Sequence, residues 1–368
     1  MEFFNAAFVE PIQLMIDIPD LFLQTLWEGF VAGILYALIA LGFVLIFKAS
    51  GVFNFAQGIM VVFAALALVS LHTKFGVPAW LALLLAIALM GALAWGIERI
   101  VLRPLVGQHD AILLMATIGL TLFLQGAGET IFGGEPQSMI TEELGLPTGA
   151  TDWEVFGGRV TFQHIDVAAI VIASLMVAGL AVFFSKTRIG RALRAVADDH
   201  QAALSVGISL NQIWVIVWFA AGIVALVTGI MWGARSDVSF ALEVIALKAL
   251  AVLILGGFTS IPGAIVGGLI IGIGEKVFEV YWGSLFGGGV EAWFAYVLAL
   301  IFLLFRPRPV RRKNHREGVT LCFIVKPDSS RQTIKPIRRS SRSFRTRSAS
   351  ASSLPLRWLC PSSAVTSS

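Results

Sequence analysis

Charged residues and cysteine are what this chain has least of. Asp, Glu, Lys and Arg make up 14% of its 368 residues against 57% hydrophobic, and the mean hydropathy is +0.84. A soluble globular domain carries nearer one quarter charged residues, so a soluble enzyme is nearly excluded. Both cysteines, Cys322 and Cys360, lie beyond residue 305, which leaves everything before them without a disulfide, a thiolate metal site or a cysteine nucleophile. No GxxxxGK[ST] loop occurs, nor even a Gly–Lys dipeptide, so any nucleotide hydrolysis falls to another chain. There is no HExxH either, and His72, His109 and His164 sit at the edges of apolar runs, where capping or solvated histidine is the ordinary explanation. Residues 1–20 hold four acids and no Lys or Arg, unlike the positive start of a cleavable signal peptide, so the first apolar span is expected to be retained.

What the chain has in excess is apolar helix. A spanning helix needs about 20 apolar residues, and the runs are 21–47, 56–72, 78–98, 110–132, 164–184, 211–234, 243–258, 262–282 and 290–305. This pattern predicts an all-α, polytopic transmembrane bundle of eight or nine spans. The runs 56–72 and 243–258 are short, so each is either a crossing or a partial, re-entrant element. Lys and Arg near span ends bias a loop to the cytoplasm. Arg99 and Arg103 mark one such loop, and Lys186, Arg188, Arg191 and Arg194 another. Between them, residues 133–163 carry Glu135, Glu142, Glu143, Asp152 and Glu154 against Arg159 alone, as an exported loop would. If all nine runs cross, Lys48 is inside and the amino terminus outside.

Three regions follow: an acidic segment at 1–20, a transmembrane domain at 21–308 and a basic Ser/Arg-rich tail at 309–368. Residues 1–305 hold 12 Lys/Arg and 21 Asp/Glu, whereas 306–368 hold 15 and 2. With so little to bury, the tail is expected to be disordered. Its basic cluster suits anionic lipid or nucleic acid, or is an inessential extension.

Glycine recurs at a spacing of four inside the runs, at Gly29 and Gly33, Gly263 and Gly267, and Gly268 and Gly272, which lets another helix backbone approach closely. Two breaks interrupt apolar helix at membrane depth, at 48–58 and 256–263. Paired breaks in two halves of a chain are a transporter signature and usually border a cavity. They nominate Asn54, Gln57, Gly58, Gly256, Gly257 and Ser260 as pathway residues, with Asn54 and Gln57 alternatively caps or interhelical glue. The ionisable residues Glu28, Glu129, Glu243, Lys248, Glu275, Lys276 and Glu279 all fall within about two turns of a span end, where they can reach the interface. A gradient-driven transporter or channel therefore lacks the mid-span charge it normally needs. Residues 187–208 form a candidate amphipathic helix: Arg191, Arg194, Asp198 and Gln201 line one stripe, while Leu193, Val196, His200 and Leu204 line another, with Gly207 as a stop. It is a docking element or an interfacial linker.

At these residues the chain resembles the membrane permease subunits of bacterial branched-chain amino-acid ABC transporters, the LivH/LivM family, and more closely its LivH branch. The resemblance covers roughly 21–308. It rests on Gly33–Ile34–Leu35–Tyr36–Ala37–Leu38, Asn54–Phe55–Ala56–Gln57–Gly58, Glu98–Arg99 with Arg103–Pro104, Gly190–Arg191–Ala192–Leu193–Arg194–Ala195, and Leu255–Gly256–Gly257–Phe258–Thr259–Ser260–Ile261–Pro262–Gly263, in this order. It implies a permease in the bacterial inner membrane with no catalytic residue and no cofactor of its own. Its partners would be a second permease subunit, two cytoplasmic ATPase subunits that bind the ATP, and a periplasmic substrate-binding protein, with no nucleic acid. The resemblance assigns ATPase coupling to the 188–208 segment: Arg188, Arg191, Arg194, Ala195, Asp198, Asp199 and Gly207. Gln57 stands where family members often have His, and Glu28 where an uncharged polar residue is common. Relatives also handle urea, short amides and other hydrophobic amino acids, so a urea or short-amide permease is the alternative within the family.

Overall fold

A computed structural model describes residues 9–51, 53–105, 108–155, 157–198, 207 and 210–305. The expectations placed on Asp199, His200, Gln201, Leu204 and the tail from Arg306 lie outside the described residues. The described chain is mostly helical. Its elements run α1 (Glu10–Asp17), α2 (Pro19–Ser50), α3 (Gln57–Thr73), α4 (Ala79–Gly96) extended by a π-helical turn (Ile97–Leu102), and α5 (Asp110–Phe132). A hairpin of β1 (Ala150–Val155) and β2 (Gly158–Gln163) leads to α6 (His164–Lys186), α7 (Arg188–Asp198) and α8 (Leu210–Ser236). The chain continues through α9 (Leu242–Gly256), α10 (Ile261–Trp282) and α11 (Phe294–Phe305).

Among the described residues, six helical stretches are long and apolar enough to cross a membrane: Pro19–Ser50, Ala79–Leu105, Ala111–Phe132, His164–Lys186, Gln212–Ser236 and Ile261–Phe286. The short runs of the sequence become α3 with 17 residues, α9 with 15 and α11 with 12. A helix hydrophobic all round belongs in an interior, and α3 obeys: every residue from Gln57 to Ser70 is buried, enclosed by α4, α5, α8 and α9.

The spacing of glycines has the consequence read from it. At α2 and α10 the main chains touch: a Cβ on Gly33 would lie 2.8 Å from the Gly268 carbonyl oxygen, and one on Gly268 would lie 2.6 Å from the Gly33 oxygen. Gly29 meets the Cα of Ile273 in the same way, at 2.7 Å. Gly267 packs on the Val252 carbonyl of α9, so α10 is held between two helices by its glycines. Lipid offers no hydrophobic force between helices, and close packing of small residues is what remains.

Among the described residues, a β-hairpin departs from the all-helical expectation. In the acidic loop, β1 and β2 pair antiparallel from Ala150 opposite Gln163 to Val155 opposite Gly158. The hairpin is seated on the start of α2: the Thr161 N–H donates to Gln24 Oε1 at 2.9 Å, and Phe162 meets Trp27 edge to face at 4.9 Å. Six-residue strands carry too little alternation to register against the charge of the loop, which is what the sequence displays most plainly.

The glycine contact gives a direct test. Gly268→Val is expected to destabilise the bundle by about 1–3 kcal/mol or more through overpacking. Gly126→Ala, on a part of α5 with nothing within 4 Å, should leave the melting temperature unchanged or raised. Thermal unfolding of both variants in one detergent separates the two; equal effects would contradict the packing.

Candidate functional site

The two helix breaks end up against each other. After α2, Gly51 takes a left-handed conformation (φ 74°) and its N–H closes on the Phe47 carbonyl at 2.8 Å. The chain then turns through Asn54, whose Oδ1 accepts the Ala56 N–H at 3.1 Å, and starts α3 at Gln57. The Gln57 amide lies where a Cβ of Gly42 would be and donates through Nε2 to the Ala221 carbonyl at 3.4 Å. Ala221 sits near the middle of α8, so α3 begins inside the bundle and not at its rim. The second break is a tight return: Gly257 has φ 93°, Gly256 and Gly263 touch main chain to main chain, and Ser260 caps α10 by accepting the Gly263 N–H at 3.1 Å.

Five phenylalanines join the breaks. Phe43 stacks on Phe53 at 4.8 Å, Phe53 meets Phe55 edge-on at 4.8 Å and Phe258 at 6.3 Å, and Phe47 lies 5.3 Å from Phe258. The 51–56 and 257–260 turns thus share one aromatic cluster. Gly256, Gly257 and Ser260 serve the turn itself. Gly58 lets α3 approach α9, where a Cβ would fall 2.7 Å from that of Ala246.

Asn54 and Gln57 do cap and bridge, as one alternative required, but each does so with half of its amide. Asn54 is 2% exposed and Gln57 fully buried, yet Asn54 Nδ2 and Gln57 Oε1 have no hydrogen-bond partner among the described residues. A buried, unpaired polar group costs about 1–3 kcal/mol. One donor and one acceptor are therefore held ready three residues apart at the mouth of a break.

Charge is distributed otherwise than the span ends suggest. Lys248 and Glu275 turn inward instead of reaching the interface: they are 7% and 1% exposed and pair at 2.8 Å. Tyr36 of α2 donates to the same Glu275 oxygen at 2.9 Å, lies over Trp232 and offers its ring to the Lys248 ammonium. The reason is geometric, because α9 is short and pressed onto α10, which brings both side chains between the helices and α2. Lys276 pairs with Glu291 at 2.9 Å, and Glu279 accepts the N–H groups of Gly289 and Glu291. A further pair, Asp166–Arg235 at 3.2 Å, ties α6 to α8.

The amphipathic segment forms α7 at Arg188–Asp198. Thr187 caps it, its hydroxyl accepting the Gly190 N–H at 2.9 Å while donating to the Phe183 carbonyl at 2.6 Å. Gly190 permits the sharp fold against α6: a Cβ there would strike the carbonyls of Phe183 and Phe184. Leu193 and Val196 are buried and hold the helix to the bundle, while Arg188, Arg191 and Arg194 are exposed and Ala195 is half-buried. Arg191 and Arg194 reach back to the Lys186 and Ser185 carbonyls at 3.2 and 3.5 Å, the free C-terminal end of α6, a contact that periodicity does not reveal. Asp198 closes α7, and Gly207 has φ 85°, a glycine conformation.

Comparison with known proteins gives concordant matches. The family model described as the permease component of branched-chain amino acid transport systems matches residues 25–306. The high-affinity branched-chain amino acid transport system permease protein BraD of Pseudomonas aeruginosa is 31% identical over 315 residues, covering 81% of this chain and 98% of that protein. The corresponding LivH of Escherichia coli K12 is 28% identical over 317 residues, with coverage of 81% and 98%. A probable branched-chain amino acid transport permease LivH of Methanocaldococcus jannaschii is 29% identical over 273 residues, covering 73% of this chain and 85% of that protein.

The buried pair is open to a thermodynamic cycle. Lys248→Met leaves the Glu275 carboxylate uncompensated and is expected to cost about 3–5 kcal/mol. The double variant Lys248→Met/Glu275→Leu should recover most of it, because a well-packed apolar pair replaces a buried ion pair at little cost. Detergent melting curves of the wild type, both single variants and the double variant measure the coupling. Additive single effects would contradict the pairing.

Proposed function

The chain belongs to the family of permease components of branched-chain amino acid transport systems, and from that premise we propose that it is the membrane-spanning subunit of an ATP-driven importer of branched-chain or related hydrophobic amino acids. The observation that carries this is the family match over residues 25–306, from the first turns of α2 to the end of α11. In this reading the chain is a multi-pass protein of the inner membrane that carries no catalytic residue and no cofactor. It pairs with a second permease subunit, receives cargo from a periplasmic binding protein, and is driven by two cytoplasmic ATPase subunits that bind ATP. All nine apolar runs are membrane-embedded, α3 and α9 being helical for only part of their depth. Residues 21–308 do the transport; the segments 1–20 and 309–368 are accessory.

Asn54, Gln57 and Gly58, with the return at Gly256, Gly257 and Ser260, border the cargo path. The unpaired halves of the two amides support this role, since they offer one acceptor and one donor to whatever passes. The aromatic cluster between the two turns closes the path on the cytoplasmic side of them. Opening it requires the partner subunits to favour one arrangement of the bundle over another, because a ligand shifts an equilibrium only by its differential affinity.

Coupling runs through α7 and the residues after it, Arg188, Arg191, Arg194, Ala195, Asp198, Asp199 and Gly207. Leu193 and Val196 anchor the helix and the arginines face outward, the arrangement a docking helix needs. An exposed charge pair contributes only about 0–1 kcal/mol, so a single reversal should be tolerated. Arg191→Glu/Arg194→Glu places acids where a cation-seeking surface sits and should weaken docking much more. The expected result is loss of labelled amino-acid uptake and of ATPase pull-down, with the permease still folded in the membrane. The double Arg→Gln variant, which also loses the contacts to the α6 carbonyls, separates repulsion from lost capping. Normal uptake with normal pull-down would make α7 a linker and overturn its coupling role.

A further inference from the structure

Beside the first break lies a cavity of about 90 Å³ that the preceding reading leaves unassigned. Its walls are Phe43 of α2, Phe53 and Phe55 of the turn, Ile118 and Thr121 of α5, and Glu243 of α9. Thr121 is near the midpoint of α5 and Gly58, on the same wall, adjoins the Gln57 that bonds to the middle of α8. The cavity is therefore deep in the bundle although Glu243 is only the second residue of its helix. The chain reaches that depth before α9 begins: Val238 still pairs with Gln137 of the acidic loop, while Phe240 already packs on Gly128.

The Glu243 carboxylate, on a half-buried side chain, has no hydrogen-bond or salt-bridge partner among the described residues, whereas Glu275 and Asp166 each face a cation. The cavity opens between α5 and α9, where Leu122 and Leu247 are 65% and 45% exposed. An unpaired carboxylate at this depth is costly against lipid and is found facing water or a cation. The second polar wall is of the same kind: the Thr121 hydroxyl donates to the Thr117 carbonyl at 2.9 Å, which leaves its oxygen free to accept. Both polar groups thus ask for a donor, and three aromatic rings around them favour a cation. A dry cavity of roughly 150 Å³ holds benzene, so this one takes an apolar group of a few carbons.

We propose that this cavity is a transient subsite for a small apolar amino acid, with Glu243 and Thr121 accepting its ammonium and the phenylalanine–isoleucine wall taking its side chain. It rests on the reading of the chain as an amino-acid importer and adds to it which group of the cargo is recognised, and where. An ammonium–carboxylate contact is a charge-assisted hydrogen bond, the stronger kind. A deaminated acid brings no ammonium and would leave both acceptors without a donor, so the subsite selects against it.

The test uses the transporter assembled with its partner subunits in proteoliposomes, with Cys322 and Cys360 replaced by serine. Glu243→Gln should raise the KM for leucine, isoleucine and valine about tenfold or more, the loss expected for one hydrogen bond to a charged group, and Glu243→Asp should raise it less. An unchanged KM in Glu243→Gln overturns the subsite and leaves the importer reading standing. Independently of uptake, Leu247→Cys at the mouth of the cavity, with Glu243 kept, should react with a water-soluble, positively charged thiol reagent, more slowly when leucine is present. No reaction, or a rate indifferent to leucine, means that lipid or a basic side chain of the second permease covers the site, and overturns the proposal. If the wild-type complex takes up none of the three amino acids, the cargo reading fails by itself. The labelling is then repeated with isopentylammonium, where protection sustains an ammonium subsite and its absence overturns it.

Discussion

Main-chain contact between α2 and α10 is the constraint from which the rest of the bundle follows. Gly29 and Gly33 meet Gly268, Gly272 and their neighbours at distances that admit no side chain. Only at that separation does the Tyr36 hydroxyl of α2 reach Glu275 of α10 at 2.9 Å. The same helix carries α9 on its other glycines, Gly263 and Gly267, which brings Lys248 to complete the trio. Because the return between α9 and α10 is so tight, Phe258 lands at the end of α2 and the two breaks become one aromatic cluster. In lipid, where apolar surface gains nothing by hiding, close packing is the available adhesive.

Polar groups inside this bundle divide by whether they are satisfied. Lys248 and Tyr36 both meet Glu275 Oε1 and fasten three helices, while Glu275 Oε2 has no hydrogen-bond partner among the described residues. Asp166 and Arg235 fasten α6 to α8. At the first break, half of the Asn54 amide, half of the Gln57 amide and the Glu243 carboxylate have no partner among the described residues, and all three border the same turn.

Much of this was legible in the residues. The glycine spacing marked helices that another backbone approaches closely, the short runs at 56–72 and 243–258 became the short helices α3 and α9, and the period of Leu193 and Val196 gave the buried face of α7. What escaped lies in long-range geometry. Tyr36, Lys248 and Glu275 are more than 200 and 27 residues apart along the chain, and nothing local says that they meet. Counting from helix ends placed Lys248 and Glu275 at the interface, because depth in a bundle with short helices is not measured from where a helix starts. The same error hides Glu243, whose segment dips into the bundle through Ser239–Phe240 before any helix forms. The hairpin escaped for a different reason, since its contacts with Gln24 and Trp27 lie across the chain from its own weak strand pattern.

The central claim is that the two breaks form a single closure inside the bundle and that cargo must pass it. Cysteines at Phe53 and Phe258, whose rings are 6.3 Å apart, in a chain with Cys322 and Cys360 replaced by serine, can be joined by a short thiol-specific cross-linker in the assembled transporter. The expected result is rapid intramolecular cross-linking that stops amino-acid uptake while ATP binding by the partner subunits persists, with uptake restored on reduction. Cross-linking that leaves uptake unchanged, or two cysteines that do not cross-link in any state of the transport cycle, would contradict it.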